Sequence, residues 1–310
     1  MNKLNIVFAG TPEFAEKHLS ALIKSNHNIR AVFTQPSKRS GRGLKFKHSP
    51  VRETAFENNI DIRQPEKITI KETDALSELN PDIVVVVAYG LILTKEFISI
   101  PKYGCINVHP SLLPRWRGAA PIQRSIQAGD KLSGITIMQM NDELDKGDII
   151  YQEPVTISDN DSSVIMHKKF AEVGTSALLV ILDSIKDNNI MLHTQDDKLA
   201  TYAHKIKKDE AKINWEDSAE SIHKKIMAFN IWPVAEASLA GERVRIHDSE
   251  FKELDINGIP GSIKSCEKNN IEVFTGNGCL IIKRLQKDNS KVVSSEDFIN
   301  SVDLQGKKFE

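Results

Sequence analysis

Short apolar runs alternate with amphipathic segments over the first two thirds of the chain. The runs are rich in Val and Ile, which favour strands, while the segments between them repeat apolar residues at helical spacing. The predicted strands cover residues 4–9, 29–33, 83–88, 105–109 and 134–140, and the predicted helices cover 13–24, 50–59, 68–79, 120–128 and 164–186. This alternation is typical of βαβ units, so we expect an α/β fold whose mostly parallel sheet carries helices on both faces.

The pattern changes after residue 186. Residues 187–204 are polar and lack a period, which predicts a linker. One further helix, at 218–229, precedes short alternating runs at 236–239, 244–246, 261–263, 271–274 and 279–285. Evenly spaced short strands are typical of a small β-barrel, here of the oligonucleotide-binding (OB-like) type. We therefore expect an α/β domain at 1–186, a linker at 187–204 and a C-terminal β-barrel domain at 205–310.

Composition adds little to this picture. The 310 residues are 27% charged and 40% hydrophobic, which is typical of a soluble globular protein. The longest apolar stretch, residues 83–93, is shorter than the roughly 20 residues of a membrane span, and no signal peptide is recognisable. Three widely spaced cysteines without a CxxC pair fit a reducing compartment. We expect a cytoplasmic monomer with no membrane segment, disulfide or metal site.

The turn after the first strand narrows the choice of ligand. It reads AGTPEF where a dinucleotide-binding fold has GxGxxG, and GxxxxGK[ST] occurs nowhere in the chain. Despite the Rossmann-like alternation of strands and helices, we expect neither NAD nor ATP as a ligand.

Candidate chemistry lies at the end of the strand 105–109. Asn107 and His109 are two residues apart, so their side chains lie on the same face of the strand, and Pro110 ends it. Open α/β sheets hold their ligands at the carboxyl ends of strands. A histidine at a strand end can also be purely structural, and Cys105 is expected to pack as a small apolar residue.

A carboxylate is available from the turn at 144–148, which follows the strand 134–140. We expect Asp145 to approach His109, although Asp-x-Gly is also an ordinary turn sequence. Asn, His and Asp do not form a nucleophilic triad, and they suit acyl transfer between two external nitrogens. Asn107 and His109 would donate hydrogen bonds to a developing oxyanion, while Asp145 holds the imidazole charged or relays a proton.

Three strings carry a resemblance over nearly the whole chain: NVHPSLLPRWRGAAPIQRSI (107–126), ITIMQMNDELDKGDII (135–150) and FAGTPEFA (8–15). Together they resemble the methionyl-tRNA formyltransferases, which belong to the 10-formyltetrahydrofolate-dependent formyltransferases. The resemblance implies transfer of a formyl group from folate N10 to the α-amine of methionine on initiator tRNA. It implies Asn107, His109 and Asp145 as catalytic residues. The folate-binding residues that it implies are Ser111, Leu112, Leu113 and Pro114.

A basic segment, Gln35 to Arg52, contains six Lys or Arg and no Asp or Glu. It is either a solvated loop or a functional one, since loops of this length are uncommon inside compact domains. It resembles the insertion that methionyl-tRNA formyltransferases direct at the acceptor stem. That resemblance implies contacts with tRNA by Lys38, Arg39, Arg42 and Lys45. Phe14 either lines the methionine pocket or packs in the core.

The C-terminal part resembles the same family at 213–230 and at Trp232-Pro233. Ile231 and Val234 replace the Pro and Gly usual around that pair, and residues 288–291 (DNSK) replace a Gly-Lys-Lys run. The segment from Lys205 onward contains 17 basic and 18 acidic residues, which excludes a broadly basic domain. Two alternatives remain: a formyltransferase for a small amine, such as glycinamide ribonucleotide or a nucleotide amino sugar, and a non-catalytic RNA-binding protein.

Overall fold

The protein is described by a computed structural model that covers residues 3–40, 45–230, 232–253, 258–267 and 269–310. Its first elements are β1 (Asn5–Gly10), α1 (Glu13–Lys24), β2 (Asn28–Phe33), β3 (Lys38–Ser40), β4 (Lys45–Lys47), α2 (Pro50–Glu57), β5 (Asp61–Arg63), α3 (Ile70–Leu79), β6 (Ile83–Val87), α4 (Lys95–Ser99), β7 (Cys105–His109), β8 (Arg117–Gly118), α5 (Pro121–Ala128), β9 (Leu132–Gln139), β10 (Ile149–Thr156) and α6 (Ser163–Lys186). They continue with β11 (Tyr202–Ala203), α7 (Ala219–Ala228), β12 (Glu236–Leu239), β13 (Glu242–Lys252), β14 (Ile263–Glu267), β15 (Asn270–Phe274), β16 (Cys279–Lys287), β17 (Val293–Ser294) and α8 (Ser295–Ser301). Short 3₁₀ turns lie at Asp197–Leu199 and Lys208–Ala211.

The first sheet has seven strands in the order β10-β9-β7-β6-β1-β2-β5. The five strands from β7 to β5 are parallel, and a helix joins each of them to the one that follows it in the chain. β9 runs antiparallel to β7, and β10 runs antiparallel to β9. The predicted Rossmann-like, mostly parallel sheet is confirmed.

Both faces of this sheet are buried. One face contributes alternate residues such as Val7, Phe33 and Val84 to a core that includes Leu76 of α3 and Phe97 of α4. On the other face, Gly174 of α6 packs closely against Val108 and His18. Apolar side chains on both sides explain why β6 reads as the unbroken run IVVVV.

Several element ends follow from capping. The Ser49 side chain accepts a hydrogen bond from the Arg52 amide and so caps α2, which begins at Pro50. The Glu72 carboxylate accepts from the Thr69 amide at 3.0 Å, which makes Thr69 the N-cap of α3. This helix therefore starts at Ile70, two residues later than the apolar pattern predicts.

The second sheet is antiparallel, with the order β12-β13-β16-β15-β14 and with β17 paired to β16. The chain end connects its two outer strands, because Phe309 bridges to Leu239 of β12 and Lys308 bridges to Ser262 just before β14. Apolar residues from these strands enclose one core together with Ile222, Ile226 and Phe298 from the helices. A small antiparallel β-domain after the parallel sheet is thus confirmed.

The contacts divide the chain into two compact units that differ from a single cut along the sequence. One unit comprises 1–118, 132–156 and 167–202, and the other comprises 119–131, 157–166 and 203–310. The contiguous domains at 1–186 and 205–310, with a linker between them, stay a prediction.

Some elements escaped the sequence pattern. The strands β5 and β10 and the helices α4 and α8 were not expected, and β13 extends far beyond the predicted run at 244–246. β10 lies at the sheet edge, where all but one of its residues are half-buried or exposed, so its apolar signal is weak. β5 and α4 are only a few residues long, too short for a period to be visible.

Candidate active site

Two polar side chains interrupt the apolar strand β7 near its carboxyl end. Asn107 and His109 are both buried, with 9% and 4% of their surface exposed. They lie opposite Met138 and Thr136 of β9, and two-residue spacing puts them on the same face. Burial of two polar groups in the centre of a sheet requires that they find partners inside the protein.

The main partner is Asp145, which lies in the turn between β9 and β10. Because β9 is antiparallel to β7, this turn starts beside the amino end of β7, where the Met140 amide donates to the Cys105 carbonyl at 2.8 Å. The turn then folds back along β7 to reach His109. The sequence predicted that the end of a neighbouring strand would bring Asp145 near His109. The two residues do meet, but through the fold of the turn rather than the end of the strand.

The three side chains meet at the Asp145 carboxylate. Oδ2 of Asp145 lies 3.7 Å from Nδ1 of His109 and accepts a hydrogen bond from the Gly118 amide at 2.8 Å. Oδ1 accepts a long hydrogen bond of 3.5 Å from Nδ2 of Asn107. At 3.5 and 3.7 Å neither Nδ2 of Asn107 nor Nδ1 of His109 makes a strong hydrogen bond to the carboxylate, so each atom can take a further acceptor.

The other ring nitrogen of His109 is engaged as well. Nε2 lies 3.0 Å from the Trp116 carbonyl oxygen. Since a carbonyl can only accept, Nε2 carries the proton of this bond, and Nδ1 is the atom turned toward Asp145. Both ring nitrogens therefore lie near hydrogen-bond acceptors.

This geometry suits catalysis of acyl transfer. The buried Asn107 amide and His109 imidazole both lie beside the Asp145 carboxylate, which can accept a proton. Donors in such a water-poor place stabilise developing negative charge more strongly than in water. The three side chains have the chemistry expected of an oxyanion site and a proton acceptor, and their role in catalysis stays a prediction.

The segment 111–114, predicted to bind folate, follows β7 directly. The Ser111 side chain is fully buried, and its hydroxyl donates to the Arg115 carbonyl at 2.7 Å, so it shapes this loop. Leu113 is also buried, whereas Leu112 and Pro114 are partly exposed. Within this segment only the side chains of Leu112 and Pro114 offer surface to a ligand. Folate binding by the segment stays a prediction.

Two polar residues that the sequence analysis missed hold this segment. The Thr136 hydroxyl donates to the Ser111 carbonyl at 2.6 Å and accepts from the Leu113 amide at 3.0 Å. Nε2 of Gln152 donates to the Leu113 carbonyl at 2.8 Å and to Thr136 Oγ1 at 2.9 Å. The sequence signal available for Thr136 was a polar residue within the apolar run of β9, and the structure shows that it is fully buried.

Other titratable groups near β7 do not suit nucleophilic catalysis. Burial raises the pKa of the Cys105 thiol to about 12, so it stays protonated and acts as a packed apolar group. Phe14 is also buried, with its ring 4.8 Å from that of His18 and 6.1 Å from that of His167. Burial lowers the pKa of both histidines, to about 4 for His18. Phe14 as part of a methionine pocket stays a prediction.

The basic segment 35–52 contains a hairpin in which β3 pairs with β4. Its base is closed by hydrogen bonds between Thr34 and Ser49, at 2.8 Å, and between Ser37 and His48, at 2.5 Å. Arg42 lies outside the described residues, and contacts of Lys38, Arg39 and Lys45 with tRNA stay a prediction. The segment is therefore anchored at its base instead of being a loop throughout.

Three residues of the C-terminal part depart from the family pattern and were singled out above: Ile231, Val234 and Asp288. Asp288 accepts hydrogen bonds from Arg243, with a closest approach of 2.7 Å, and lies 3.5 Å from Arg245. Hydrogen bonds from Arg243 hold the pKa of Asp288 below its usual range. Val234 adopts a left-handed backbone with φ of 66°, a conformation that suits the glycine usual there. Ile231 lies outside the described residues.

The described part of the chain contains neither a cluster of metal-ligating side chains nor a helix suited to span a membrane. Among these residues, no group of three or more His, Cys, Asp or Glu is arranged to hold a metal ion. Within the same residues, no helix combines the length and hydrophobicity needed to cross a membrane.

Comparison with known proteins identifies the family. The formyl transferase family model matches residues 3–182, and the model of the formyl transferase C-terminal domain matches residues 205–303. A methionyl-tRNA formyltransferase of Legionella pneumophila strain Paris is 46% identical over 303 residues, covering 97% of this chain and 96% of its own.

Solved structures share the fold at lower identity. An N-formyltransferase from Helicobacter canadensis, solved with folinic acid and dTDP-3-aminofucose, has a TM-score of 0.69 and 21% identity, covering 92% of this chain and 99% of its own. HypX from Aquifex aeolicus in complex with tetrahydrofolic acid has a TM-score of 0.66 and 15% identity, covering 97% of this chain and 47% of its own. At such identities the likeness shows the fold alone. The family matches and the 46% identity over almost the full length show that the chain belongs to the methionyl-tRNA formyltransferases, a group of formyl-transferring enzymes within the formyl transferase family.

Proposed function

We propose that this enzyme transfers the formyl group of 10-formyltetrahydrofolate to the α-amine of methionine carried by initiator tRNA. The observation that supports this most directly is the 46% identity, over 97% of the chain, to a methionyl-tRNA formyltransferase. The cluster of Asn107, His109 and Asp145 supports it independently, because its donors and acceptor match the needs of the reaction. The products are N-formylmethionyl-tRNA, used in translation initiation, and tetrahydrofolate.

The reaction begins when the neutral α-amine attacks the formyl carbon. A new carbon–nitrogen bond forms, and the formyl oxygen takes up negative charge in a tetrahedral intermediate. The Asn107 amide and the His109 imidazole donate hydrogen bonds to that oxygen. A single donor of this kind typically contributes about 3 to 4 kcal/mol to stabilisation of the transition state.

The intermediate then collapses with loss of the folate nitrogen. One proton has to move from the attacking amine to N10 as the bond between carbon and N10 breaks. Asp145 is the acceptor at hand, and it relays the proton directly or through a water molecule. The hydrogen bond from the Gly118 amide keeps the carboxylate in place during this transfer.

The donor is a tetrahydrofolate derivative held beside β7 by the segment 111–114. Hydrogen bonds from Thr136 of β9 and Gln152 of β10 fix the backbone of that segment, which supports a preformed site. Leu112 and Pro114 provide the apolar surface for the ring system of the folate.

The acceptor tRNA contacts the basic segment 35–52, whose cations include Lys38, Arg39, Arg42 and Lys45. Six cations without an acid attract phosphates locally even though the whole chain carries a net charge of −1. The segment 205–310 contributes a second, weaker contact with the tRNA because its own charges are balanced. Phe14 lines the methionine pocket in this proposal.

A substrate comparison tests the proposal. Purified protein is incubated with 10-formyltetrahydrofolate and, in separate reactions, methionyl initiator tRNA, free methionine, glycinamide ribonucleotide and a nucleotide amino sugar. We expect kcat/KM for the charged tRNA to exceed the others by at least about 1,000-fold, as expected where most of the binding energy comes from the tRNA.

Two other results would each overturn the proposal. Faster formylation of a small amine identifies a formyltransferase with another acceptor. Binding of tRNA without any formyl transfer identifies an RNA-binding protein instead of an enzyme.

A further inference from the structure

The side chain of Gln195 is buried beneath the turn that carries Asp145, although the sequence places this residue in a predicted linker. Its Nε2 atom donates to the backbone carbonyls of Asp145 and Gly147, at 2.8 Å each. Its Oε1 atom accepts from Nε of Arg117 at 3.0 Å and from Nη2 at 2.9 Å. All hydrogen bonds that an amide side chain can make are thus formed within the protein.

The orientation of this amide is fixed by its partners. Arg117 can only donate and the two carbonyls can only accept, so the oxygen and nitrogen of Gln195 cannot exchange places. Arg117 is itself 1% exposed, and its Nη1 atom donates to Asp197 at 2.7 Å. The arginine therefore provides a rigid support for Gln195 on the side opposite the turn.

The turn needs such support on chemical grounds. Asp145 has a left-handed backbone with φ of 51°, a conformation that has an energetic cost for residues with a Cβ atom, although Asp and Asn adopt it more readily than most. The hydrogen bond to its carbonyl holds this conformation, and the conformation decides where its carboxylate points. Oδ2 then lies 2.8 Å from the Gly118 amide and 3.7 Å from His109.

The far side of the turn is closed by Gly147. A Cβ atom at this position would lie 1.6 Å from the Gln139 carbonyl oxygen, so the backbone is in close contact with β9. The turn is held between β9 on one side and Gln195 on the other. Loss of the contacts from Gln195 leaves only one of these two supports.

We propose that Gln195 is a positioning residue that acts through the backbone of Asp145 and sets its carboxylate against His109. The inference rests on the proposed function, since it requires that Asp145 takes part in formyl transfer. Gln195 touches neither substrate nor the reacting atoms. Its contribution should appear in kcat and leave the binding of folate largely unchanged.

The substitution Gln195→Glu separates the two functions of the amide, acceptance from Arg117 and donation to the turn. The carboxylate still accepts from Arg117, which preserves the buried support for folding. It cannot donate to the carbonyls of Asp145 and Gly147, and it places a negative charge against them. We expect kcat to fall by about 10- to 100-fold, the scale of a misplaced catalytic group, with KM for the folate within about twofold.

A control exists at Gln127, which lies outside the segments assigned to folate and tRNA. Its Oε1 atom accepts from Nη1 of Arg124 at 2.8 Å. The variant Gln127→Glu therefore makes the same chemical change beside an arginine, away from Asp145. We expect its kcat to equal that of the wild type.

A spectroscopic measurement tests positioning without relying on activity. In protein labelled with ¹⁵N-histidine, the Nδ1 resonance of His109 is assigned by comparison with His109→Asn and recorded at one fixed pH. We expect Gln195→Glu to move this resonance in the same direction as Asp145→Asn, and Gln127→Glu to leave it in place. Circular dichroism and melting temperature verify that each variant is folded.

The outcomes separate the two proposals. If Asp145→Asn lowers kcat while Gln195→Glu leaves both kcat and the His109 resonance unchanged, the positioning role is wrong and the proposed function stands. If Asp145→Asn retains wild-type kcat, the proposed catalytic role of Asp145 is wrong. A fall in melting temperature for Gln195→Glu with unchanged kcat assigns Gln195 a structural role only and overturns the inference.

Discussion

Nδ1 of His109 lies 3.7 Å from Oδ2 of Asp145, because the turn after β9 folds back along β7 instead of ending beside it. The approach depends on one left-handed residue, Asp145 itself, and on partners for its backbone and its carboxylate. The strength of catalysis should therefore depend on these contacts as well as on the three polar side chains.

Removal of either oxyanion donor should lower kcat strongly. We expect His109→Ala and Asn107→Ala each to reduce kcat by about 100- to 1,000-fold, because each removes one hydrogen bond to the developing oxyanion. Single-turnover formylation with saturating folate measures the effect. His193→Ala, which removes an exposed imidazole, is the control. Wild-type turnover in a folded His109→Ala or Asn107→Ala variant would remove that residue from the mechanism.

Charge reversal in the basic hairpin should weaken tRNA binding and its dependence on salt. We expect the triple variant Lys38→Glu, Arg39→Glu, Lys45→Glu to raise KM for the tRNA and to flatten the plot of log KM against log salt by up to about one unit per lost phosphate contact. KM for the folate should stay unchanged.

The control for this variant reverses three exposed lysines elsewhere, at Lys67, Lys71 and Lys95. It changes net charge by the same amount and should leave the salt slope near that of the wild type. Equal slopes in the hairpin variant and the wild type would argue against a role for the hairpin in tRNA binding.

Substitution of Asp288 should strengthen tRNA binding. The carboxylate now offsets the positive charge of Arg243 and Arg245 on the β-domain. Asp288→Asn removes this negative charge from Arg245 and from Arg243, which keeps its contact with Glu236 at 3.4 Å. We therefore expect affinity for tRNA to rise about two- to threefold at low salt, with a steeper salt dependence. Glu296→Gln, at another exposed acid, is the control. Unchanged affinity and slope would mean that this face of the β-domain does not contact the tRNA.

His18 should make the free energy of unfolding depend on pH. Its Nδ1 atom donates to the Phe14 carbonyl at 2.8 Å, and among the described residues its Nε2 atom has no hydrogen-bond partner. Burial lowers its pKa from 6.5 to about 4, so the unfolded chain binds the proton more tightly than the folded one. The stabilisation is complete above about pH 6.5 and is lost as pH falls toward about 4, by about 3 kcal/mol in total.

Denaturant unfolding measures this dependence at several pH values from about 4 to about 7, because this range includes the folded and unfolded pKa values of His18. His18→Gln should show a smaller loss of stability on acidification than the wild type does, because the titrating group is gone. Parallel curves for the two proteins would mean that His18 keeps an ordinary affinity for protons in the folded state.

Much of the fold was determined by the local sequence. The boundaries of α1 and β7 agree with the apolar pattern, because each element is long enough to show its period and is ended by Pro or by a polar segment. The pairing of Asn107 and His109 on one face followed from two-residue spacing alone. Short or half-exposed elements such as β5 and β10 carried no clear signal, since their place in the sheet is decided by neighbouring strands.

The site shows the same division. The sequence by itself determined which residue types are present and placed two of them at the end of a buried strand. Only the tertiary structure decided that β9 runs antiparallel to β7, that the turn folds back to bring Asp145 to His109, and that Gln195 lies beneath that turn. These contacts join residues far apart in the chain, and a periodic pattern reports only on neighbours within a few residues. Strand direction and backbone conformation are set by packing and hydrogen bonding across the whole sheet, which no local stretch of sequence encodes.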